Sequence, residues 1–582
     1  MKRTIIIALL ATVLPLLAAA QQMNISTDSV GTLATQLPDS VRYKIAELKV
    51  SGPLNGADLK LLQQIVTRTR TNKKIAGECL VTRLDMSDAH IADGKAGMKT
   101  ATATLPPSLF AGARSLEAVV LPSDVIVIGR SCFADCQALR EVTLPETVVT
   151  IESAAFRGCK SLAKVQLPPL LTTVGTSAFE GCEALEDIDM PASLVTLDNS
   201  AFNGCKALRS VSLGETSVSV IGTAEFQGCE SLARITVPET VTEVGNNAFR
   251  GCKALEAISL PDRLNAIGNS AFEGCTALTR VETGEVKRLG ANAFERCTSL
   301  EAIDIDKVMR MGNGVFKGCI SLRRASLQGD VADMGNETFA ACTSLTTVTL
   351  PGNLKTVGSS AFNECKSLEA VELPQSLTKI EGHAFEKCAS LRQIVVPNRV
   401  KTIGSDAFAS CTSLDSVSIE GFIDQIESDL FRYCHSLRTV KLPVSVKKIG
   451  SNAFEECATL TAIELPVTLQ SIDNSAFRKC SMLKAVVIPP GVKEIGNSAF
   501  RDCSMLAYAE LSVSLREIEA SAFAKCVSLR EVAMNAPTAP KLSSTAFKDV
   551  VLGACKFYVP RGARANYLQD KQWQKIPQML ER

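Results

Sequence analysis

The sequence is poor in the side chains from which active sites and recognition anchors are most often built. Among 582 residues there are three His, one Trp and five Tyr. His90, His383 and His435 lie far apart, which argues against a Ser-His-Asp or Cys-His site, and no grouped ligands suggest zinc. Net charge is missing too. The 62 Lys+Arg against 61 Asp+Glu leave +1, so no basic field favours nucleic acid or an anionic membrane. After residue 20 there is no apolar run of about 18 residues, and so no membrane span is expected.

What is abundant is unevenly so. Hydrophobic residues make up 46%, enough for a core, yet the chain holds 22 Phe and 21 Cys. Such a bias points to one recurring position for each.

The first residues read as an address. Lys2 and Arg3 precede an apolar run from Ile5 to Leu17, and Ala18-Ala19-Ala20 leads into Gln21. A charged start, a short apolar stretch and small residues describe a cleaved secretory signal peptide over 1–20. The first cysteine is Cys79, so a lipid anchor at the cleavage point is not expected.

Alignment on Phe-x-x-Cys resolves the rest. Eighteen pairs run from Phe133/Cys136 through Phe249/Cys252, Phe362/Cys365 and Phe477/Cys480 to Phe523/Cys526. Cysteines follow at intervals of 23, with one step of 24 (Cys205 to Cys229) and two of 22 (Cys275 to Cys297 to Cys319). Phe110 and Phe547 continue the frame at its ends. This is a repeat solenoid, in which each unit buries its apolar side chains only against its neighbours.

A clean unit runs from Leu345 to Leu368. Val348 and Leu350 alternate with Thr347 and Thr349 as in a short strand, and Pro351 ends it. Leu354 and Val357 turn inward across the back. The slot of Gly358 is Gly in twelve units and acidic in six, so it marks a turn without a strict left-handed requirement. Ser360-Ala361-Phe362 fits a capped single helical turn. Stacked at a strand spacing of about 4.8 Å, eighteen units would extend roughly 90 Å and set each Cys one spacing from the next. That separation leaves two roles open for the cysteines, free buried thiols or a partial disulfide ladder.

The unit L-x-x-V-x-L-P-x-x-V-x-x-I-G-x-x-A-F-x-x-C-x-S-L resembles the BspA-like leucine-rich repeat of exported proteins from Bacteroidetes and other host-associated microbes. The resemblance covers 105–547 and implies a leucine-rich-repeat superhelix of short strands and single helical turns, about 23 residues per repeat. Ile45–Asp58 and Leu84–Ala89 resemble the family's N-terminal capping repeats, which implies a cap over 21–104. Cys555–Gly562, Tyr567 and Trp573 resemble its closing segment, which implies a cap over 548–582.

No motif amounts to an active site, and neither an enzyme nor a cofactor is expected. Gly312-Asn313-Gly314 with Gly318 has the wrong spacing for a dinucleotide loop, and Asp85 to Asp88 lacks the ligand series of a calcium loop. That leaves the outward side of the strands. Irregular repeat lengths cluster between Leu213 and Cys342, around Asp304-Ile305-Asp306-Lys307. With Arg280, Glu282 and Arg324 these residues form the densest mixed-charge patch on that face, and Asp187, Asp189 and Arg234 extend it. The resemblance implies a surface or secreted binding module, adhesin-like toward a host matrix or bacterial surface protein. The alternative is a periplasmic or envelope scaffold for other bacterial proteins, and a monomeric chain is compatible with both.

Overall fold

The computed structural model describes residues 21–67 and 80–582; the expected signal peptide over 1–20 and Cys79 lie outside the described residues. The described residues form two compact units, one running to residue 241 and including 248–255, the other of 242–247 and 256–582. Each is a parallel β-solenoid with a turn of about 23 residues.

Strands of successive turns pair in parallel, as Asp187↔Ser210↔Arg234 in the first unit and Ser416↔Thr439 in the second. The three-residue strands follow the expected alternation. In Asp187–Asp189 the flanking carboxylates are exposed and Ile188 is buried. A second, two-residue strand crosses the back of most turns, as Thr356–Val357 paired with Lys379–Ile380. Leu354 and Val357 are fully buried there.

The segment expected to form a helical turn is instead a chain of tight turns. A helix would keep its N–H bonds within the segment; here alternate N–H groups are given to the next turn. Ser360 N, Phe362 N and Glu364 N donate to Gly382 O, Ala384 O and Glu386 O, at 3.0, 2.7 and 2.9 Å. Ala361, Asn363 and Cys365 bond locally three residues back. This alternation needs left-handed backbone at Ser360 (φ 54°) and Glu364 (φ 61°). The Gly358 slot is not left-handed, in keeping with its acidic occupants. Its glycine permits close approach, since a Cβ there would lie 2.6 Å from Met334 O.

Inside each unit the phenylalanines stack. In the first, Phe133 and Phe156 lie 5.2 Å apart with rings 1° from parallel; in the second, Phe362 and Phe385 lie 5.0 Å apart at 6°. Beside them runs the cysteine ladder. Cys136, Cys252, Cys365 and Cys480 are free and buried, and each thiol donates to the carbonyl of the Phe one turn before, at 3.1–3.2 Å. Burial pushes the Cys434 and Cys526 thiols up to about 12, out of reach of thiolate chemistry at neutral pH.

The ends differ from the middle. Near the N-terminus, helix Gly56–Val66 is capped by Asn55, whose side chain accepts from Ala57 N and Asp58 N. Buried Asp58 in turn accepts from Gly31 N and Leu33 N, at 2.6 and 3.0 Å, tying the first strand and its loop to this helix. Near the C-terminus, Phe557 meets Phe547 edge-on at 87°, which ends the parallel stack. Trp573 and Tyr567 are buried, with Nε1 and Oη donating to Pro540 O and Ala536 O at 2.8 and 2.7 Å.

Candidate binding surface

The outward strand residues sit on a regular backbone, so each side chain's position follows from its slot. In the first unit Asp187, Asp189 and Arg234 are exposed on two strands separated by Ser210–Ser212. Ser210 Oγ lies 3.4 Å from Asp187 Oδ1, and Arg234 occupies the same column one strand on. These three residues belong to the first unit and the rest of the expected patch to the second.

The second unit draws the remaining residues together. Arg280 pairs with Glu282 at 2.7 Å, and Glu282 accepts from Ser259 Oγ at 2.7 Å. Arg324 grips Asp304 with two parallel bonds of 2.8 and 2.7 Å. An open depression of about 610 Å³ lies over these residues and Glu301. The strand beneath it is unusual. Ala302–Val308 has seven residues, and its register against Arg324–Gly329 shifts between Ile305 and Val308. The shift is a bulge, and it leaves Asp306 and Lys307 both exposed where alternation would turn one inward. Gly329 accommodates it, with φ 114° and space so tight that a Cβ would lie 2.3 Å from Val308 O.

Exposed pairs of this kind contribute about 0–1 kcal/mol each, so the fold does not depend on them. What the arrangement offers is directional polar contact: a bidentate arginine, an acid-base pair and two bulge charges on a rigid floor.

The histidines do not converge. His90 faces Asp124, His383 faces Glu386 and His435 lies against Glu456 O, at 3.1, 2.9 and 3.1 Å. Among the described residues no group of His, Cys, Asp or Glu could hold a metal ion, and no helix is long and apolar enough to cross a membrane. On the outward columns Tyr508 is half-buried at the start of the strand Tyr508–Leu511. Tyr558 joins it, half-buried on the strand Lys556–Val559, two strands away. Its strand lies beyond the last Phe-x-x-Cys unit, where the repeat frame gives no register.

The repeats match the profile of BspA type leucine rich repeat regions in overlapping segments, 103–233, 219–346, 309–438 and 424–552. No curated protein matches. Among solved structures, a leucine-rich repeat protein from Bacteroides ovatus is 24% identical, over 80% of this chain and 89% of that one, with TM-score 0.32. A T. pallidum leucine-rich repeat protein is 34% identical over 27% of this chain and 77% of that one, with TM-score 0.26. A leucine rich cell surface protein from Faecalibacterium prausnitzii is 20% identical over 78% and 87%, with TM-score 0.25. The repeat match, rather than these superpositions, is decisive. It is consistent with a protein-interaction or surface module on a typically non-catalytic scaffold. With more than half of its length matched by that profile, the chain belongs to the family of BspA-type leucine-rich repeat proteins.

Proposed function

We propose that this chain is an exported, non-enzymatic binding module that engages a protein ligand through its strand face. The contact centres on the bulged strand Ala302–Val308. The observation that carries this reading is the bulge itself, which presents Asp306 and Lys307 beside the Arg280–Glu282 and Arg324–Asp304 pairs. These charges are exposed, contribute little to folding and sit on a floor fixed by buried Ile303, Ile305 and Val308. The contact they make is polar and salt-sensitive, set by charge pattern rather than by an aromatic anchor. By the sequence of its first 20 residues the chain is exported, and its ligand is a host matrix or bacterial surface protein.

Two experiments test this. Protease shaving of intact cells removes the chain if it is at the surface; protection until the outer envelope is opened contradicts the adhesin reading and favours an envelope scaffold. The triple variant Arg280→Glu, Lys307→Glu, Arg324→Glu is then compared with the parent on immobilised matrix and bacterial surface proteins. A loss of at least about tenfold in affinity, about 1.4 kcal/mol, with an unchanged melting temperature supports the reading. Unchanged binding rejects it.

A further inference from the structure

A different surface of the second unit carries an unexplained row of apolar side chains. The slot just after the proline that closes each strand is a solvent-facing turn position, filled by Asp262, Gln375 and Asn398. From residue 420 onward its character changes. Val444, Val467 and Pro490 occupy it in successive turns and Val513 in the next, with Phe422 in the turn before, one residue further along the chain. Phe422, Val444 and Val467 are 71, 74 and 78% exposed. Turns favour Gly, Pro, Asn, Asp and Ser, which accounts for Pro490, whereas a β-branched residue gains nothing there from the fold. A contiguous exposed apolar row with a polar rim marks an interaction site.

The rim is asymmetric. Three residues past Val444, Pro490 and Val513 stand Lys447, Lys493 and Arg516, all exposed, with Gln470 in the same place past Val467. Lys447 has Asp424 at 3.7 Å, whereas Lys493 and Arg516 have no carboxylate partner among the described residues. Spacing then selects the shape of the occupant. The stacked phenylalanine rings inside these turns, from Phe431 to Phe523, lie 5.4, 5.1, 5.1 and 5.2 Å apart. The apolar seam of an α-helix advances about 5.2 Å per 3.5 residues. An extended strand repeats on one face at about 6.8 Å and falls out of step within three turns.

We infer that the ridge from Phe422 to Val513 docks an amphipathic α-helix of a partner protein, its apolar seam interleaved with the valines and its acidic flank facing Lys447, Lys493 and Arg516. This surface is separate from the strand face and does not depend on that reading.

The probe is a designed peptide of about 18 residues, with Leu along one seam and Glu on one flank, compared with a Lys-flanked counterpart by fluorescence anisotropy on the full chain. The Glu peptide is expected to bind at least about tenfold tighter than the Lys peptide. Val444→Ser with Val467→Ser should abolish that binding, and Lys493→Glu with Arg516→Glu should reverse the preference, all with unchanged thermal midpoints. The Arg280/Lys307/Arg324 charge reversal should leave it untouched. Absence of binding, equal binding of both peptides or indifference to the ridge variants overturns the inference. So does tighter binding to phosphatidylglycerol vesicles, or self-association that the same variants abolish.

Discussion

Each unit contains a fully buried glutamate, and the two are accommodated in opposite ways. Glu225, in the first unit, stands where most repeats have the alanine before the ladder phenylalanine; its stacked neighbours, Ala201 and Ala248, offer no side-chain donor. Neither carboxylate oxygen has a well-formed hydrogen bond, and burial, opposed only by a backbone contact from Ala201, pushes its pKa well above the usual range. Glu455, in the second unit, follows Phe454 and lies between Arg432 and Arg478. Arg432 Nε is 2.9 Å away, and both arginine side chains keep about a third of their surface in water. The lesson concerns stacking. A solenoid slot meets its own kind one turn above and below, so a buried charge is satisfied only where those two turns supply partners.

The turn before each cysteine repeats the contrast more gently. In the first unit Gly158, Gly181, Gly204, Gly228 and Gly251 hold it at φ 71–74°. In the second, Gly274 and Gly318 keep the glycine, while Glu364, Lys387, Glu456, Lys479, Asp502 and Lys525 adopt nearly the same backbone, at φ 59–63°. These side chains pair between turns, Glu364 with Lys387 at 3.1 Å, Asp502 with Lys525 at 3.8 Å, and Glu456 with Lys479. The first unit builds its ionic ladder one residue after the cysteine instead, where Glu183 receives Lys160 and Lys206 at 3.2 and 3.1 Å.

Three changes would break or sharpen this comparison. Arg432→Met with Arg478→Met would make Glu455 an orphan like Glu225, and should cost about 3 kcal/mol at neutral pH. The partial exposure of both arginines keeps the value at the low end for a broken buried pair. Urea unfolding measures it, and a loss below about 1 kcal/mol would mean that water already satisfies the carboxylate.

Glu225→Ala should act in the other direction, raising stability by about 1–3 kcal/mol at neutral pH. Its sign follows from linkage. The folded pKa lies above the ordinary 4.5, so the penalty is absent below that pH and grows as pH rises toward the folded value. The advantage of the alanine variant should therefore be larger at pH 7 than at pH 5. A pH-independent advantage would mean that Glu225 reaches water.

The smallest effects fall in the left-handed turns. Gly181→Ala should cost about 1 kcal/mol, purely from the backbone, because a Cβ there meets nothing closer than 3.7 Å. Lys387→Gly should gain less than that, since relief at φ 61° is offset by the lost pairs to Glu364 and Glu386. Thermal midpoints of the two variants test the pair together.

Much of this architecture was legible in the sequence because repetition fixes slots. The inward Leu, Val, Phe and Cys, the strand-ending proline and the outward charges all follow from an alternation that recurs every 23 residues. Three things were not legible. Left-handed backbone at Ser360 and its equivalents is imposed by hydrogen bonds to the next turn, and Ser, Asn, Asp and even His383 accept it without a local signal. The two-residue back strands, such as Thr356–Val357, are too short to show a period of their own. The bulge at Asp306 and Lys307 was foreshadowed only as an irregular repeat length, because register belongs to a pair of strands and not to one.

The central claim is that the interior ladder holds the molecule while the strand face is free for recognition. Its most direct test is urea unfolding of Phe362→Ala beside Glu372→Ala. Phe362 is fully buried and Glu372 exposed on the outward column. The expected losses are about 3–5 kcal/mol for the phenylalanine and within about 0.5 kcal/mol for the glutamate. Comparable large losses from both would contradict the assignment of faces, and with it the surface proposed to bind.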